Sequence, residues 1–480
     1  MKRADLHMGH IQHVVATYFG YVMLSHRWEG KEMLLDDIQG KDVFKLEPVE
    51  GIAKLQSFCR TARDAGHRWA WIDTCCIDQC NNAELQQSVN SMFTWYHHSA
   101  LTIVYLSDVL PSSKSGSLAR SAWITRGWTV QEFLAPKIVL FYQKDWSLYL
   151  NESFRNHKES RIIMQELAHA TGIDSQALVT FRPGMRGARE KLQWVSTRVT
   201  TRQEDIAYSL FGIFGVNLPV IYGEKKQSAL GRLLQEIVAR SGDITALDWV
   251  GQSSGFNSCL PADISSYKAP PCPLPSLQTS VSSLQHDISV ESALNLYTLL
   301  DNMNAPRFAY CRLHLPCITF RVTAVRRQGM NSTYEVKADR LHDLQITTED
   351  KLIPFSSLQP NMQTFLLVRP WNRLLELPDF ADLSSLAELP FAASDTQSDG
   401  DYWSVPSSPL QESHESVDSE LSDRALRLTV RLGQPFSAFL LAQQRGGEYK
   451  RIASDHHIIV QVKDVSSIPD TTEARTLEIL

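Results

Sequence analysis

Residues 69–108 read WAWIDTCCIDQCNNAELQQSVNSMFTWYHHSALTIVYLSD, and the alternation inside this stretch decides the architecture of the N-terminal part of the chain. Its ends, WAWIDT (69–74) and LTIVYLSD (101–108), are nearly continuous apolar runs rich in aromatic and β-branched residues, the pattern of strands buried on both faces. Between them Leu85, Val89, Met92, Phe93 and Tyr96 recur at helical spacing, and Asn81 followed by Glu84 supplies a capping pair. A strand, a helix and a second strand cannot be a hairpin, since a connection of a dozen or more residues is what parallel strands need. Working outward, YVMLSH (21–26) and KIVLFY (137–142) add two more runs of the same kind. The expectation is an α/β domain: an open, mainly parallel sheet covered by helices, which takes ligands beyond the carboxyl ends of its strands.

Polar residues collect at those ends. Ser25, His26 and Arg27 follow the first strand, Asp73 the second and Asp108 the third. The segment TRGWTVQEFLAP (125–136) follows the third strand through a loop and brings Arg126 and Glu132. Read as a helix, it puts Val130, Phe133 and Leu134 on one face and Trp128 with Glu132 on another. A core cannot bury such charges unpaired, so they face a crevice or one another.

Composition sets the outer limits. At 480 residues, 43% of them apolar, the chain has material for two to three domains. Its eight cysteines are too sparse for a disulfide-stapled scaffold, which fits a reducing compartment and a cytoplasmic location. VVATYFGYVML (14–24) lacks a cleavage site and reads as core, and no run approaches the roughly 20 apolar residues of a membrane helix. The net charge of -6 is uneven: residues 374–423 hold twelve Asp or Glu and no Lys or Arg. With no basic run and no aromatic-basic stripe elsewhere, neither nucleic acid nor a membrane is an expected partner.

Residues 155–250 read as largely helical, with Ala207, Leu210, Phe211 and Phe214 on one stripe and Leu230, Leu233, Leu234, Ile237 and Val238 on another that ends at Gly242. The stretch 251–290 is rich in Pro and Ser and reads as a linker or long surface loop. Alternating segments then predict a β-rich domain over 291–480: FAYCRLHL, TYEVKA, TFLLVRP, ALRLTVRL, SAFLLAQ and HHIIVQVKD. The acidic, Ser-rich insert at about 393–423 is expected to be disordered.

Four blocks in order, YVMLSHRWEG, WAWIDTCCIDQ, TRGWTVQEFLAP and TTRQEDIAYSLFGIFGVNLPVIYGE, make the chain resemble the HET (heterokaryon incompatibility) domain of fungal proteins over residues 14–250, divided into an α/β core at 14–145 and a helical extension at 155–250. Two departures stand out: the first block reads Trp28-Glu29-Gly30 where many members carry the glycine directly after the tryptophan, and the short strand that usually precedes it is hard to see. The resemblance implies a role in non-self recognition, vegetative incompatibility and the programmed cell death that follows fusion of incompatible cells. A second, weaker resemblance is to TIR domains, which share a flavodoxin-like sheet order and place a catalytic glutamate in a Trp-Cys-Leu-x-Glu-Leu segment. Here Trp128-Thr129-Val130-Gln131-Glu132 occupies the corresponding place.

The TIR resemblance implies NAD as a substrate rather than a bound cofactor. Nicotinamide leaves as a neutral base from a pyridinium, so one carboxylate can suffice, holding the ribose and stabilising oxocarbenium charge. It assigns Glu132 as catalytic carboxylate, Arg27 to the phosphates, Trp28 or Trp128 to ring stacking, and Ser25 and Asp73 to polar edges. Against it stands a plainer account in which Glu132 pairs with Arg126 or sits at a helix start, and Asp73 and Asp78 shape turns. The corresponding functional alternative is a non-enzymatic signalling module that acts by self-association through the HET domain or by recruiting a partner protein. Cys75, Cys76 and Cys80 do not make a zinc site, because adjacent cysteines diverge on an extended chain and no second CxxC pair exists, so they are expected as buried free thiols. Trp69, Trp71, Trp95 and Trp146 are expected in the core.

Overall fold

In a computed structural model, residues 18–272, 288–329, 332–356, 364–373 and 414–480 are described. They form two compact units. The first spans the chain to Trp249 and adds 254–256 and 260–271. The second comprises 250–253, 257–259 and everything from Cys272.

The first unit is built on four parallel strands, β1 (Tyr21–His26), β2 (Trp69–Trp71), β3 (Leu101–Tyr105) and β4 (Val139–Tyr142), in the order β2-β1-β3-β4. The chain therefore moves outward from β1 to β2 and returns across it to β3, so the direction of winding reverses between β1 and β3. Helix α1 (Glu50–Asp64) links β1 to β2, and α2 (Asp73–Cys76) with α3 (Asn82–His98) links β2 to β3. Asn81 caps α3 as its sequence requires, accepting from the N–H groups of Ala83 and Glu84. Glu84 accepts from the Asp78 N–H instead of closing a capping box. One face of the sheet packs Val22, Leu24 and Ile103 against Leu55 and Phe58 of α1, with Ile72 and Cys75 in the same cluster.

Between β3 and β4 the chain makes two turns of 3-10 helix and then α4 (Thr129–Leu134). Every residue of α4 is buried, so it is not the amphipathic helix its spacing suggested. Six residues cannot sustain a helix alone, and α4 exists because its surroundings hold it. Gly127, just before it, has a steric reason. A Cβ there would lie 2.6 Å from the Thr200 methyl, where residues 199–200 cross in parallel beside Arg126. Gly212 is under the same constraint, its missing Cβ falling 2.1 Å from the Cβ of Phe93. Beyond β4, helices α5 (Arg161–Thr171), α6 (Ala188–Val195) and α7 (Lys226–Ser241) bear out the helical reading of 155–250.

Three expectations fail here. WAWIDT is not a strand buried on both faces: β2 is the edge of the sheet, and Trp69 is 53% exposed. Tyr18 and Phe19, expected in the core, are also exposed, and the Arg68 guanidinium lies over the Tyr18 ring. Residues 251–271 are not a surface linker. Cys259, Leu260 and Tyr267 are fully buried, because Pro and Ser shape irregular backbone that packs as readily as it flexes.

The second unit is β-rich as predicted, though it opens with a helix, α8 (Val290–Asp301). Strands β5 (Arg307–Ala309), β6 (Arg312–Gln328), β7 (Thr333–Ala338), β8 (Leu344–Thr347), β9 (Phe365–Pro370), β10 (Phe436–Gln443), β11 (Tyr449–Ile452), β12 (Ile458–Val460) and β13 (Glu473–Ile479) make one sheet. Pairings run in a ring from β6 to β9, β10, β11, β13 and back to β6, closing a small barrel. Past an irregularity at Val322–Ala324, β6 leaves the ring to pair with β7. ALRLTVRL (425–432) is helical, not extended: it ends α9 (His414–Leu432). Ala425, Leu428, Thr429 and Leu432 are buried at helical spacing, so a stripe that fits both periods was resolved by packing. Residues 414–423, the end of the stretch expected to be disordered, start the same helix. The remainder of that stretch lies outside the described residues. None of the described helices is long and apolar enough to cross a membrane.

Replacing Gly127 by Ala should destabilise the first unit by about 1–3 kcal/mol, since a β-branched neighbour cannot swing aside. Thr200→Ser removes the obstructing methyl and keeps the hydroxyl that bonds the Arg202 carbonyl. Added to Gly127→Ala it should restore most of the loss in denaturant melts, and no recovery would refute the steric account.

Candidate functional site

Two carboxylates meet the carboxyl end of β1 from different elements. Successive residues of a strand point to opposite faces, so Ser25 and His26 diverge, and each takes a carboxylate partner. Ser25 is fully buried, and its Oγ donates to Glu132 Oε2 at 2.6 Å. The same oxygen accepts from Trp123 Nε1 at 2.8 Å. On the other side, His26 Nε2 lies 3.0 Å from Asp73 Oδ1, and Trp28 Nε1 donates to Asp73 Oδ2 at 2.8 Å.

The protonation pattern around His26 follows from its neighbours. Lys54, on α1, places its Nζ 3.0 Å from His26 Nδ1. An ammonium can only donate, so Nδ1 accepts, and the imidazole proton sits on Nε2, where it donates to Asp73. Lys54 also pairs with Glu32, which in turn accepts from the Glu29 N–H. Thus Lys54, Glu32, His26, Asp73 and Trp28 form one continuous polar chain along the β1–β2 side.

Glu132 is only 5% exposed. Burial, and then the negative charge of Asp73, push its carboxyl up to about 8, against the Ser25 hydrogen bond and the charges of Arg126 and Arg198. Asp73 moves the other way. Burial would raise it, but the hydrogen bonds from His26 and Trp28, with the Arg126 charge, outweigh that and hold it below the usual carboxylate range. Two acids at one sheet end are thereby held in opposite protonation states near neutrality, the condition under which one carboxyl can give a proton and the other supply charge.

Buried cations fix α4, and hence Glu132, at both ends. Arg198 Nη1 donates to the Arg126 carbonyl and to Thr129 Oγ1, each at 2.9 Å. Its Nη2 has no hydrogen-bond partner among the described residues. At the other end Lys158 donates to the carbonyls of Pro136 and Leu134, where a cation also complements the helix dipole. Burial lowers Lys158 to about 8 and Arg198 to about 10.

Of the residues singled out in the sequence, Ser25 and Glu132 are bonded, and Asp73 and Trp28 are bonded beside them. Arg27 is exposed at the same strand end, and Trp28 is 38% exposed. Trp128 is engaged elsewhere: its Nε1 donates to Asp205 at 3.2 Å, a buried acid that burial raises to about 6 against this hydrogen bond. Arg126 makes no ion pair with Glu132 among the described residues and acts on it only as a nearby charge. Asp108 accepts from Ser121 Oγ and the Ala122 N–H, both at 2.7 Å, and so shapes the turn that delivers Trp123 to Ser25. Sequence reasoning missed Trp123, Lys54, Glu32 and Arg198. Trp123 lay in the open, five residues before Trp128, whereas Lys54 comes from α1 and Arg198 from the loop just after α6, and no local pattern announces how either docks.

Residues 21–119 match the family model described as "Heterokaryon incompatibility protein (HET)". The chain is also 36% identical over 239 residues to "Vegetative incompatibility protein HET-E-1" of Podospora anserina, an alignment covering 47% of this chain and 17% of that protein. It therefore spans less than a fifth of the length of the curated relative it matches. No solved structure matches the chain.

The raised carboxyl carries a definite pH signature. A folded-state value above the unfolded one means the folded protein holds a proton that the unfolded chain has released. Glu132 should therefore cost stability progressively as pH rises from about 4.5 to about 8, by at most about 1.4 kcal/mol per pH unit. Glu132→Gln removes this dependence, so the variant should gain on the wild type across that window in denaturant titrations. Parallel curves would show that Glu132 titrates normally.

Proposed function

We propose that this chain, whose N-terminal unit carries a heterokaryon incompatibility domain, acts as an effector of fungal non-self recognition and the ensuing cell death, and that the crevice at the carboxyl end of β1 cleaves NAD to nicotinamide and ADP-ribose. The observation that carries the chemical part is the buried Glu132 carboxyl held by Ser25 where the winding of a parallel sheet reverses, the place at which such sheets take nucleotides. The strand order β2-β1-β3-β4 agrees with a flavodoxin-like or TIR-like sheet.

On this reading the protonated state of Glu132 belongs to the protein before substrate binds. A nicotinamide ring carries positive charge, and an opposite charge brought within a few ångströms favours the carboxylate. Binding therefore generates the charge that stabilises the ribosyl oxocarbenium as the bond from C1′ to the nicotinamide nitrogen breaks. Ser25 holds the carboxylate in place. Trp28 offers an exposed indole for stacking, and the exposed Arg27 offers a guanidinium to a diphosphate. Asp73, kept ionised by His26 and Trp28, offers an acceptor to a ribose hydroxyl or to the attacking water.

One observation favours the non-enzymatic alternative. Ser25, Trp123 and Glu132 already satisfy one another inside the protein, as a purely structural knot would, and the domain would then signal by self-association or partner recruitment.

The test is nicotinamide release by purified full-length protein at high concentration, with clustering by a crowding agent. Wild type should release nicotinamide, Glu132→Gln should lose at least about a hundredfold in kcat/KM with its fold intact, and kcat/KM should rise with pH toward about 8 as free Glu132 ionises. No release by the clustered wild type, or equal release by Glu132→Gln, would leave the structural knot as the correct account.

A further inference from the structure

The cysteines expected as buried thiols divide. Cys75 is buried, whereas Cys76 ends the short helix α2 and Cys80 lies in the turn after it, and both are exposed. Among the described residues no group of His, Cys, Asp or Glu could hold a metal ion. The second unit, by contrast, holds a recess of about 300 Å3 beside the barrel, at the lower end of the range for small-molecule sites. Strands β6 and β9, the last residue of α9 and a short helix, α10 (Ile468–Thr471), each contribute to its wall.

The charge of this recess is one-sided. Arg340 and Arg369 line it, and no Asp or Glu among the described residues does. Each guanidinium lies over a phenylalanine ring: Arg340 is 5.8 Å from the centroid of Phe320 and Arg369 4.8 Å from that of Phe436, and the two rings stack at 5.7 Å. A ring contact engages the flat face of a guanidinium and leaves the N–H groups at its edge for an acceptor. Arg369 is only 6% exposed and gives Nη1 to the Leu432 carbonyl at 3.0 Å, so it belongs to the inner wall. Arg340 is half-buried, and its side chain has no hydrogen bond or ion pair among the described residues. Its backbone stands at φ +65°, a conformation that glycine adopts freely and arginine does not. That backbone is fixed, because the Arg340 carbonyl accepts the Lys463 N–H at 2.9 Å and Leu341 bridges to Val462. A cation held unpaired and strained at the rim of an apolar recess is a functional feature before it is a structural one.

We propose that this recess binds a small carboxylate with a short apolar stem, the carboxylate on Arg340 and the stem among Ile318, Val462 and Ile468. The positive charge of Arg369 on the inner wall adds to the attraction. The remaining polar side chains of the wall, Thr471 and Thr472, donate their hydroxyl protons to the carbonyls of Ser467 and Ile468, each at 2.6 Å. The arginines are therefore the only side-chain donors in the described wall, and this selects among anions. A carboxylate has two oxygens, which the edge of one guanidinium can satisfy together. A phosphate would leave further charged oxygens against isoleucine and valine, where nothing donates to them.

The site lies wholly in the second unit and stands or falls independently of NAD cleavage. Isovalerate titrated into the full-length protein in a calorimeter should bind saturably, with a Kd of about 1 mM or tighter, as a ligand of so few atoms allows. Arg340→Gly relieves the backbone as it removes the guanidinium, so the variant should fold as the wild type does yet bind isovalerate at least about tenfold more weakly. Arg340→Lys keeps the charge without the planar fork and should fall between the two. Isopentyl alcohol, which has the same stem, and inorganic phosphate should each bind at least about tenfold more weakly than isovalerate. Equal binding of isovalerate by the wild type and Arg340→Gly would overturn the proposal. So would phosphate binding as tight as that of isovalerate, or a wild type that shows no saturation below about 20 mM.

Discussion

The hydroxyl of Ser25 ties together three pieces of backbone that meet nowhere else in sequence. It is donor to Glu132 on α4 and acceptor from Trp123 in the preceding turn, while its own Cα sits in the central part of the sheet. A hydroxyl is one of the few side-chain groups small enough for a strand interior that can both donate and accept. Without it, a buried carboxyl and a buried indole N–H would each lose a partner, at a cost of about 1–3 kcal/mol apiece. Much of the local arrangement follows from this bond. The turn shaped by Asp108 presents Trp123, and the clamps from Arg198 and Lys158 keep a six-residue helix in register with β1.

Its neighbour His26 performs the corresponding task on the other side, and the two together explain the opposed behaviour of the two acids. Glu132 meets a single neutral hydroxyl, too weak to offset its burial. Asp73 meets two N–H donors, and Lys54 fixes the tautomer that makes one of them available. Strand alternation places one β1 partner on each side, and burial with the charges of Asp73 and Arg126 completes the asymmetry between the acids.

In the second unit the same physics acts through packing. A ring of five paired strands leaves few open edges, and β6 is long enough to serve both the ring and the sheet that extends from it. The apolar interior is completed by α8 and α9, whose Leu296, Leu300, Leu428 and Leu432 join the barrel residues in one cluster, and the Trp371 indole bonds the Leu300 carbonyl.

The amino-acid sequence by itself determined the parallel sheet, because nearly continuous apolar strands separated by capped helices have no other way to satisfy backbone and burial together. It also determined which residues stand at the strand ends, since Ser25 and Asp73 are recognisable there as polar groups a core would not tolerate. Tertiary structure alone decided where those groups point. Trp128 and Glu132, four apart, were expected to share a face, yet Asp205 draws the indole and Ser25 the carboxyl. Lys54 reaches His26 from a helix and Arg198 reaches α4 from the loop after one, and neither local pattern describes more than its own apolar stripe. WAWIDT became an edge because nothing in six residues states how many strands lie beyond it, and ALRLTVRL became helical because Leu426, Leu428, Val430 and Leu432 satisfy a period of two while Ala425, Leu428, Thr429 and Leu432 satisfy a helical one. Local spacing fixes which atoms are available, and long-range packing fixes which of them meet.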